Sequence, residues 1–360
     1  MRITDVRVRK VAKDGKMKAV VKLKRDYGNI GLVDVEKPTD PKGKEILIRV
    51  KSAAICGSDV HSYEYIESSH FIKVPVIMGH EFSGVVEAVG PEVKEFSVGD
   101  KIMAESNVSC GYCKNCHKGK TNVCDHSYMR GLTIDGTMAE YVKVEERCAH
   151  KVDEKTKFSS AAIAQPCSVV IHGVFDNCNI TPGASVVVFG PGIMGIVAAQ
   201  LAQIKGAGKV FIVGTDADAA LRLPAAKDLG LIPINSQKED VKKAIYQETG
   251  REEVDVCIEC SGAEPALQEA ISLIRKNGEL TILGIYPRDV KIDLTGLIRK
   301  EVNVHTSYTS AWEHYELALS LINQGKIRLD SLYTEYPCEE AEKAFQDAVN
   351  KDVIKPVLIF

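Results

Sequence analysis

Cys110, Cys113, Cys116 and Cys124 stand within fifteen residues at the spacing C-x2-C-x2-C-x7-C. Four thiolates that close in the chain can enclose one tetrahedral zinc ion and fill all its positions, the pattern of a structural site. Lysine, asparagine and glycine separate them, with almost no apolar periodicity. Metal ligation would therefore supply much of the free energy that orders this segment. So regular and local a run fits free or disulfide-bonded cysteines poorly.

A second set lies upstream. Cys56-Gly57-Ser58-Asp59-Val60-His61 is followed, 24 residues after Cys56, by His80 within Gly79-His80-Glu81. Cysteine thiolate and imidazole are both good zinc ligands, and a site with two or three protein ligands keeps a position open for chemistry. By themselves a lone cysteine and a His-Glu pair more often sit quietly in a core. Their place ahead of a four-cysteine lobe gives them weight.

The third set is glycine-rich. Ser185-Val-Val-Val-Phe189 runs into Gly190-Pro191-Gly192-Ile193-Met194-Gly195. The G-x-G-x-x-G pattern is informative here because it follows a strand and opens a helix. Gly190 allows the tight turn, Gly192 lets backbone N–H groups approach a pyrophosphate, and Gly195 lets helix and strand pack closely. The next strand, Lys209–Val213, should end on an acid that holds the ribose. That place falls on Gly214, a gap of the kind that admits a 2′-phosphate. Thr215, Asp216 and Asp218 follow, and no arginine occurs before Arg222. Two carboxylates would repel a phosphate dianion. The expectation is NAD, with Asp216 on the adenosine ribose; NADP is the alternative, with Arg222 or Lys227 on the phosphate.

The elements that position these groups fall into two textures. Residues 17–105 are short strands broken by turn clusters, an irregular β domain. Val6 to Arg9 alternates apolar and basic residues and suggests one more edge strand. From Ser185 strands of four to six apolar residues alternate with helices, which implies βαβ units and a parallel sheet. Ser159–Cys178 is apolar at helical spacing, helix Ile196–Lys205 follows the glycine turn, and Ala311–Gly325 reads as one amphipathic helix. Pro224 should start or kink its helix.

The chain has 360 residues, 45% hydrophobic and 26% charged, with net charge −3. That suits two globular domains and offers no electrostatic case for nucleic acid or an anionic membrane. No signal-peptide core precedes the first strand, so the expected compartment is the cytoplasm, where thiolate metal sites persist.

These motifs together resemble the zinc-dependent medium-chain dehydrogenases (alcohol, polyol and threonine dehydrogenases). The resemblance runs from Met17 to Phe360. It implies a GroES-like, β-rich catalytic domain at 1–168 and 309–360, and a Rossmann coenzyme domain at 169–308. It implies one catalytic and one structural zinc. Cys56 and His80 would be catalytic ligands, and Glu81 a close or exchangeable one. Asp59 would orient His80. Ser58 would take the proton of the bound alcohol, and His61 would pass it on. Gln165, in Gln165-Pro166-Cys167, stands where the polyol branch has a ligating glutamate; Cys167 is read as structural, with a ligand role as the alternative. The implied reaction moves a hydride between a secondary alcohol (polyol, sugar or sugar phosphate) and nicotinamide. An amino alcohol such as threonine is the alternative substrate, and a non-catalytic redox sensor the alternative class. Tyr63, Glu64, Ser68 and His70 are candidate pocket residues. The resemblance also implies a homodimer or homotetramer.

Overall fold

A computed structural model describes residues 15–360. The alternation at Val6–Arg9 lies outside the described residues. Among the described residues four sheets form, and the smallest, Asn107–Val108 with Tyr128–Met129, flanks the cysteine lobe. In a three-stranded sheet, Lys16–Lys22 lies between Ile30–Glu36 and Val76–Ile77. A seven-stranded sheet is centred on Glu45–Ala54, which pairs antiparallel with Glu81–Val89, Tyr141–Glu145 and the terminal strand Lys355–Ile359. The chain's end therefore returns to the sheet its beginning built.

The remaining sheet has six parallel strands in the order Ile232–Asn235, Lys209–Gly214, Ser185–Phe189, Val254–Glu259, Ile274–Ile282, Asn303–Thr306. Numbered along the chain this is 3-2-1-4-5-6, the doubly wound order with a switch point beside the first strand. Its strands are apolar on both faces because helices cover both. Val186 and Val188 join one core with Ile196 and Val197 of the helix after the glycine turn. Val187 and Phe189 join the other with Ile245 and Leu267.

Helix Phe158–Ile171 continues into a π-helical turn, His172–Asp176. It packs against both strands of the central antiparallel pair, Glu45–Ala54 and Glu81–Val89, and against helices Ile193–Ile204 and Trp312–Asn323. By length and composition the stretch Phe158–Asp176 could cross a membrane, but 83% of its apolar window is buried inside the molecule. A helix apolar all round is here a core beam shared by two sheets.

The elements expected from sequence form, with shifted ends. The helix after the glycine turn begins at Ile193 rather than Ile196, because Gly192 is its N-cap. Helix Arg222–Asp228 starts two residues before Pro224, where a missing N–H costs nothing. On helix Trp312–Asn323, Trp312 is half-exposed and Tyr315 is buried.

Candidate active site

Strand register brings the first site together. Glu81 pairs opposite Ala54, so Cys56, two residues beyond one strand, and His80, just before the other, meet at the same sheet end. Gly79 makes the bend at φ +87°, and a Cβ there would lie 2.5 Å from Met138. One ligand atom from each of Cys56, His80 and Glu81 lies within 4.8 Å of the others. Cys56 is also the N-cap of helix Gly57–Glu64, and Asp59 Oδ2 accepts its N–H at 3.0 Å. Asp59 Oδ1 faces His80 Nδ1 at 3.7 Å, which leaves the other ring nitrogen for a metal. At 3.7 Å the two atoms are not hydrogen-bonded, and neither has a hydrogen-bond partner among the described residues; a small closure would let the carboxylate orient the ring.

Lys355, on the terminal strand, forms a buried ion pair with Glu81 at 2.6 Å. The sequence reading missed it. Its only local signal is a lysine heading the apolar run Pro356-Val357-Leu358-Ile359. Cys56, Asp59 and Glu81 offer three potential anions against one ammonium, an excess that a divalent cation would neutralise. The same excess acts on His80: burial works against its charge, but Asp59, Cys56 and Glu81 push its pKa up to about 10. The donor set and its charge fit zinc.

Ser58 and His61 occupy the first two turns of the same helix, half-buried. Burial holds His61 below its ordinary pKa. Gln165 is buried in the long helix, with Nε2 donating to Ser106 Oγ at 3.0 Å. Cys167 is fully buried and its thiol is pushed up by desolvation, as suits a structural residue. Tyr63 is not a pocket residue. It is 1% exposed, donates to Glu342 Oε1 at 2.5 Å and stacks on Phe345. His70 lies at the surface, stacked on Tyr65.

In the cysteine lobe, Cys113 Sγ lies 3.5 Å from Cys116 Sγ and 3.9 Å from Cys124 Sγ, and Cys110 Sγ lies 3.9 Å from Cys116 Sγ. Tetrahedral zinc with bonds of about 2.3 Å sets its sulfurs about 3.8 Å apart, so the cage fits. Backbone N–H groups of Cys110, Cys113, Cys116 and His126 point at the sulfurs. Two such donors, from Cys116 and Asp125, lower the Cys113 pKa to about 6. Among the described residues, all eleven cysteines are free thiols.

The glycine turn has the expected geometry. Gly190 sits at φ +94°, and a Cβ on Gly195 would come 1.9 Å from Gly190 O. A Cβ on Gly192 would meet nothing within 4 Å, so open space adjoins the helix N-terminus where an anion binds. Half-buried Met194 and buried Pro191 and Ile193 line the turn. Gly214 departs from expectation. The space for a side chain there is taken by Pro191 at 2.8 Å and by Asp218 and Leu223 at 3.1 Å, so it opens no room for a phosphate. Asp218 is buried, accepts both N–H and Oγ–H of Thr215, and holds Arg222 at 3.2 Å. Asp216 is exposed, and the cation beside it is Lys238 at 3.2 Å, not Arg222 or Lys227.

A further cluster, His172, Asp176 and His314, has metal-like spacing. Hydrogen bonding argues against an ion. His314 Nδ1 accepts the Ala311 N–H at 2.9 Å, so its Nε2 carries the proton and donates to Asp176 at 2.8 Å. His172 Nδ1 bonds the same oxygen at 2.9 Å. These are satisfied core histidines.

Residues 42–154 match the alcohol dehydrogenase GroES-like domain, and residues 194–324 the zinc-binding dehydrogenase domain. The chain is 35% identical to a sorbitol dehydrogenase of Halalkalibacterium halodurans, covering 95% of this chain and 99% of that one. It is 31% identical to a D-arabitol-phosphate dehydrogenase of Enterococcus avium, over 95% and 97%. A zinc-binding dehydrogenase structure from Sinorhizobium meliloti, bound to NADP, superposes with TM-score 0.87 at 29% identity, over 96% and 99%. With its two zinc-type ligand sets and its dinucleotide turn, the chain belongs to the zinc-dependent medium-chain dehydrogenases, on the polyol-like side of that family, and is a nicotinamide-linked alcohol oxidoreductase.

Proposed function

We propose that the protein oxidises a polyol, or a sugar or polyol phosphate, with NAD⁺, in a cleft between a catalytic domain (1–168 and 309–360) and a coenzyme domain (169–308). The observation that carries the reading is the convergence of Cys56, His80 and Glu81 at one sheet end. The sorbitol and D-arabitol-phosphate dehydrogenases among the relatives support this substrate class, and L-threonine 3-dehydrogenases at 33% identity support the amino-alcohol alternative. Cys56 and His80 hold the catalytic metal, with Gln165 as a neutral third ligand. Lys355 holds Glu81 close by as a weaker, exchangeable one. Cys110, Cys113, Cys116 and Cys124 hold a structural zinc. When bound, zinc polarises the substrate hydroxyl and the nicotinamide accepts the hydride.

This chain's own contribution is placement and proton movement. Ser58 takes the hydroxyl proton, and His61, kept neutral by burial, receives it for release to solvent. Asp59 fixes the His80 ring. Gly190, Gly192 and Gly195 cradle the pyrophosphate, while Pro191, Ile193 and Met194 wall the turn. Thr215 and Asp216 face the adenosine ribose. Arg222 is engaged by Asp218 and by Val353 O, which leaves it unavailable to a 2′-phosphate and favours NAD⁺.

The thiolate sites suit a reducing cytoplasm, and exposed apolar residues near the edge strand Asn303–Thr306 suit a homo-oligomer. A panel of polyols, sugar phosphates and amino alcohols, each assayed with NAD⁺ and NADP⁺, tests the proposal. The highest kcat/KM is expected for a polyol or its phosphate with NAD⁺. An amino alcohol as best substrate would move the protein to the threonine-type reading. A tenfold preference for NADP⁺ would overturn the cofactor assignment and point to Lys238.

A further inference from the structure

Gln165 is tied at both its main chain and its side chain. Its carbonyl accepts Ser168 Oγ–H at 2.6 Å, and Ser168 Oγ lies 2.7 Å from Ser310 Oγ. Its Nε2 donates to Ser106 Oγ at 3.0 Å. Ser106 Oγ is 3.2 Å from Tyr315 OH, and the Ser106 N–H donates to that phenol oxygen at 3.3 Å. Ser310 and Tyr315, both at the start of one helix, complete the ring of buried polar groups. All five residues are buried. They come from three separate parts of the chain: Ser106 after strand Lys101–Ala104, Gln165 and Ser168 on the long helix, and Ser310 and Tyr315 at the start of helix Trp312–Asn323.

The chemistry of an amide gives this ring a task. A glutamine has an acceptor oxygen at one end and an NH₂ donor with no acceptor capacity at the other. Only the oxygen can ligate a metal. A carboxylate presents an oxygen whichever way it turns, but an amide must be turned correctly, and what takes its nitrogen decides the outcome. Here Nε2 meets Ser106 Oγ at 3.0 Å; a hydroxyl can accept from the amide nitrogen or donate to the amide oxygen, and it is fixed as an acceptor when its own proton goes to Tyr315 OH, 3.2 Å away. Ser106 is held in turn by Tyr315, which bonds both its N–H and its hydroxyl and whose ring stacks on His150 at 5.1 Å.

We propose that Ser106 and Tyr315 are positioning residues that turn the Gln165 amide so that its Oε1 serves the catalytic metal. This rests on the reading of Gln165 as a ligand. The ring lets this chain use glutamine where a carboxylate would need no such guide.

Cobalt(II) substitution tests it. The visible band of the open site is read as the difference between each protein and the corresponding Cys56→Ser variant, which removes the closed site's contribution. Metal loss to EDTA is followed in parallel. Ser106→Ala and Tyr315→Phe are expected to shift the band and to speed metal loss from the open site about tenfold or more, the range for lost outer hydrogen bonds. Ser106→Thr, which keeps the hydroxyl, should restore both. A purely structural role would lower Tm without moving the cobalt band, and that result overturns the proposal. So does a band that shifts in Gln165→Ala but stays at wild type in Ser106→Ala and Tyr315→Phe; the ligand assignment then stands. If Gln165→Ala leaves the band unchanged, the ligand assignment falls and takes the inference with it.

Discussion

Ser58 and His61 sit on successive turns of one helix, and their roles separate by pH. Because burial disfavours the charged imidazole, the folded pKa of His61 lies below its ordinary 6.5. The neutral form that accepts a proton therefore persists down to pH values under 6.5. Activity should fall along an acid limb lying below that value, and His61→Gln should abolish the limb while lowering kcat. The same shift bears on stability: it is fully present above pH 6.5 and declines as pH falls, because the unfolded chain takes up the proton first. Ser58→Ala should cost about 10² in kcat, the range for a lost proton-transfer group. A pH–rate series on the three proteins checks both, and an acid limb persisting in His61→Gln would remove His61 from the relay. Lys355 gives a different test. Lys355→Met leaves the Glu81 carboxylate buried without its partner, which should destabilise by about 3 kcal/mol. Adding Glu81→Gln should recover most of that loss. A double variant no more stable than the single, by denaturant unfolding of the zinc-loaded protein, would show that the pair does not act as a unit.

Local spacing made some elements legible in the sequence. The cysteine lobe needs only its own fifteen residues, and the glycine turn only a strand, a turn and a helix. Both could be read without knowing the fold. Lys355 meets Glu81 across 274 residues of chain, and Ser106 meets Tyr315 across 209; no periodicity encodes either. The Gly214 reading failed for a related reason. An absent side chain looks like free space in a sequence, whereas Pro191, Asp218 and Leu223 have closed around it. The glycine turn allows a discriminating experiment. Gly195→Ala would drive a Cβ to 1.9 Å from Gly190 O, so helix and strand must part and Tm should fall by several degrees. Gly192→Ala meets no protein atom within 4 Å. Its Tm should stay near wild type while KM for NAD⁺ rises about tenfold or more, because the methyl intrudes where backbone N–H groups approach the pyrophosphate. Equal KM values in wild type and Gly192→Ala would place the pyrophosphate elsewhere.

At the scale of the whole molecule, one edge of the six-stranded sheet bears on how copies of the chain could assemble. Among the described residues, Asn303–Thr306 is the last strand of the six-stranded sheet and pairs with no strand on its outer side. Natural edges are usually blunted by charge, proline or a covering element. Here Val304 is half-exposed on the strand itself, and Ile285, Ile292, Leu294 and Ile298 are exposed in the preceding loop and helix. Exposed apolar residues on neighbouring elements are a common feature of subunit contacts. Two copies related by a twofold axis can join such edges antiparallel, each strand meeting its own counterpart, and a self-complementary contact of this type closes at two subunits. The protein is therefore expected to be at least a dimer through this edge. Val304→Lys would set two ammonium groups against each other near the axis, and Ile298→Glu would charge the flanking helix. The double variant should elute as a monomer in size-exclusion chromatography with light scattering, while Cys56→Ser, altered far from the edge, should keep the wild-type mass. An assembly unchanged by both edge substitutions would move the interface to another face.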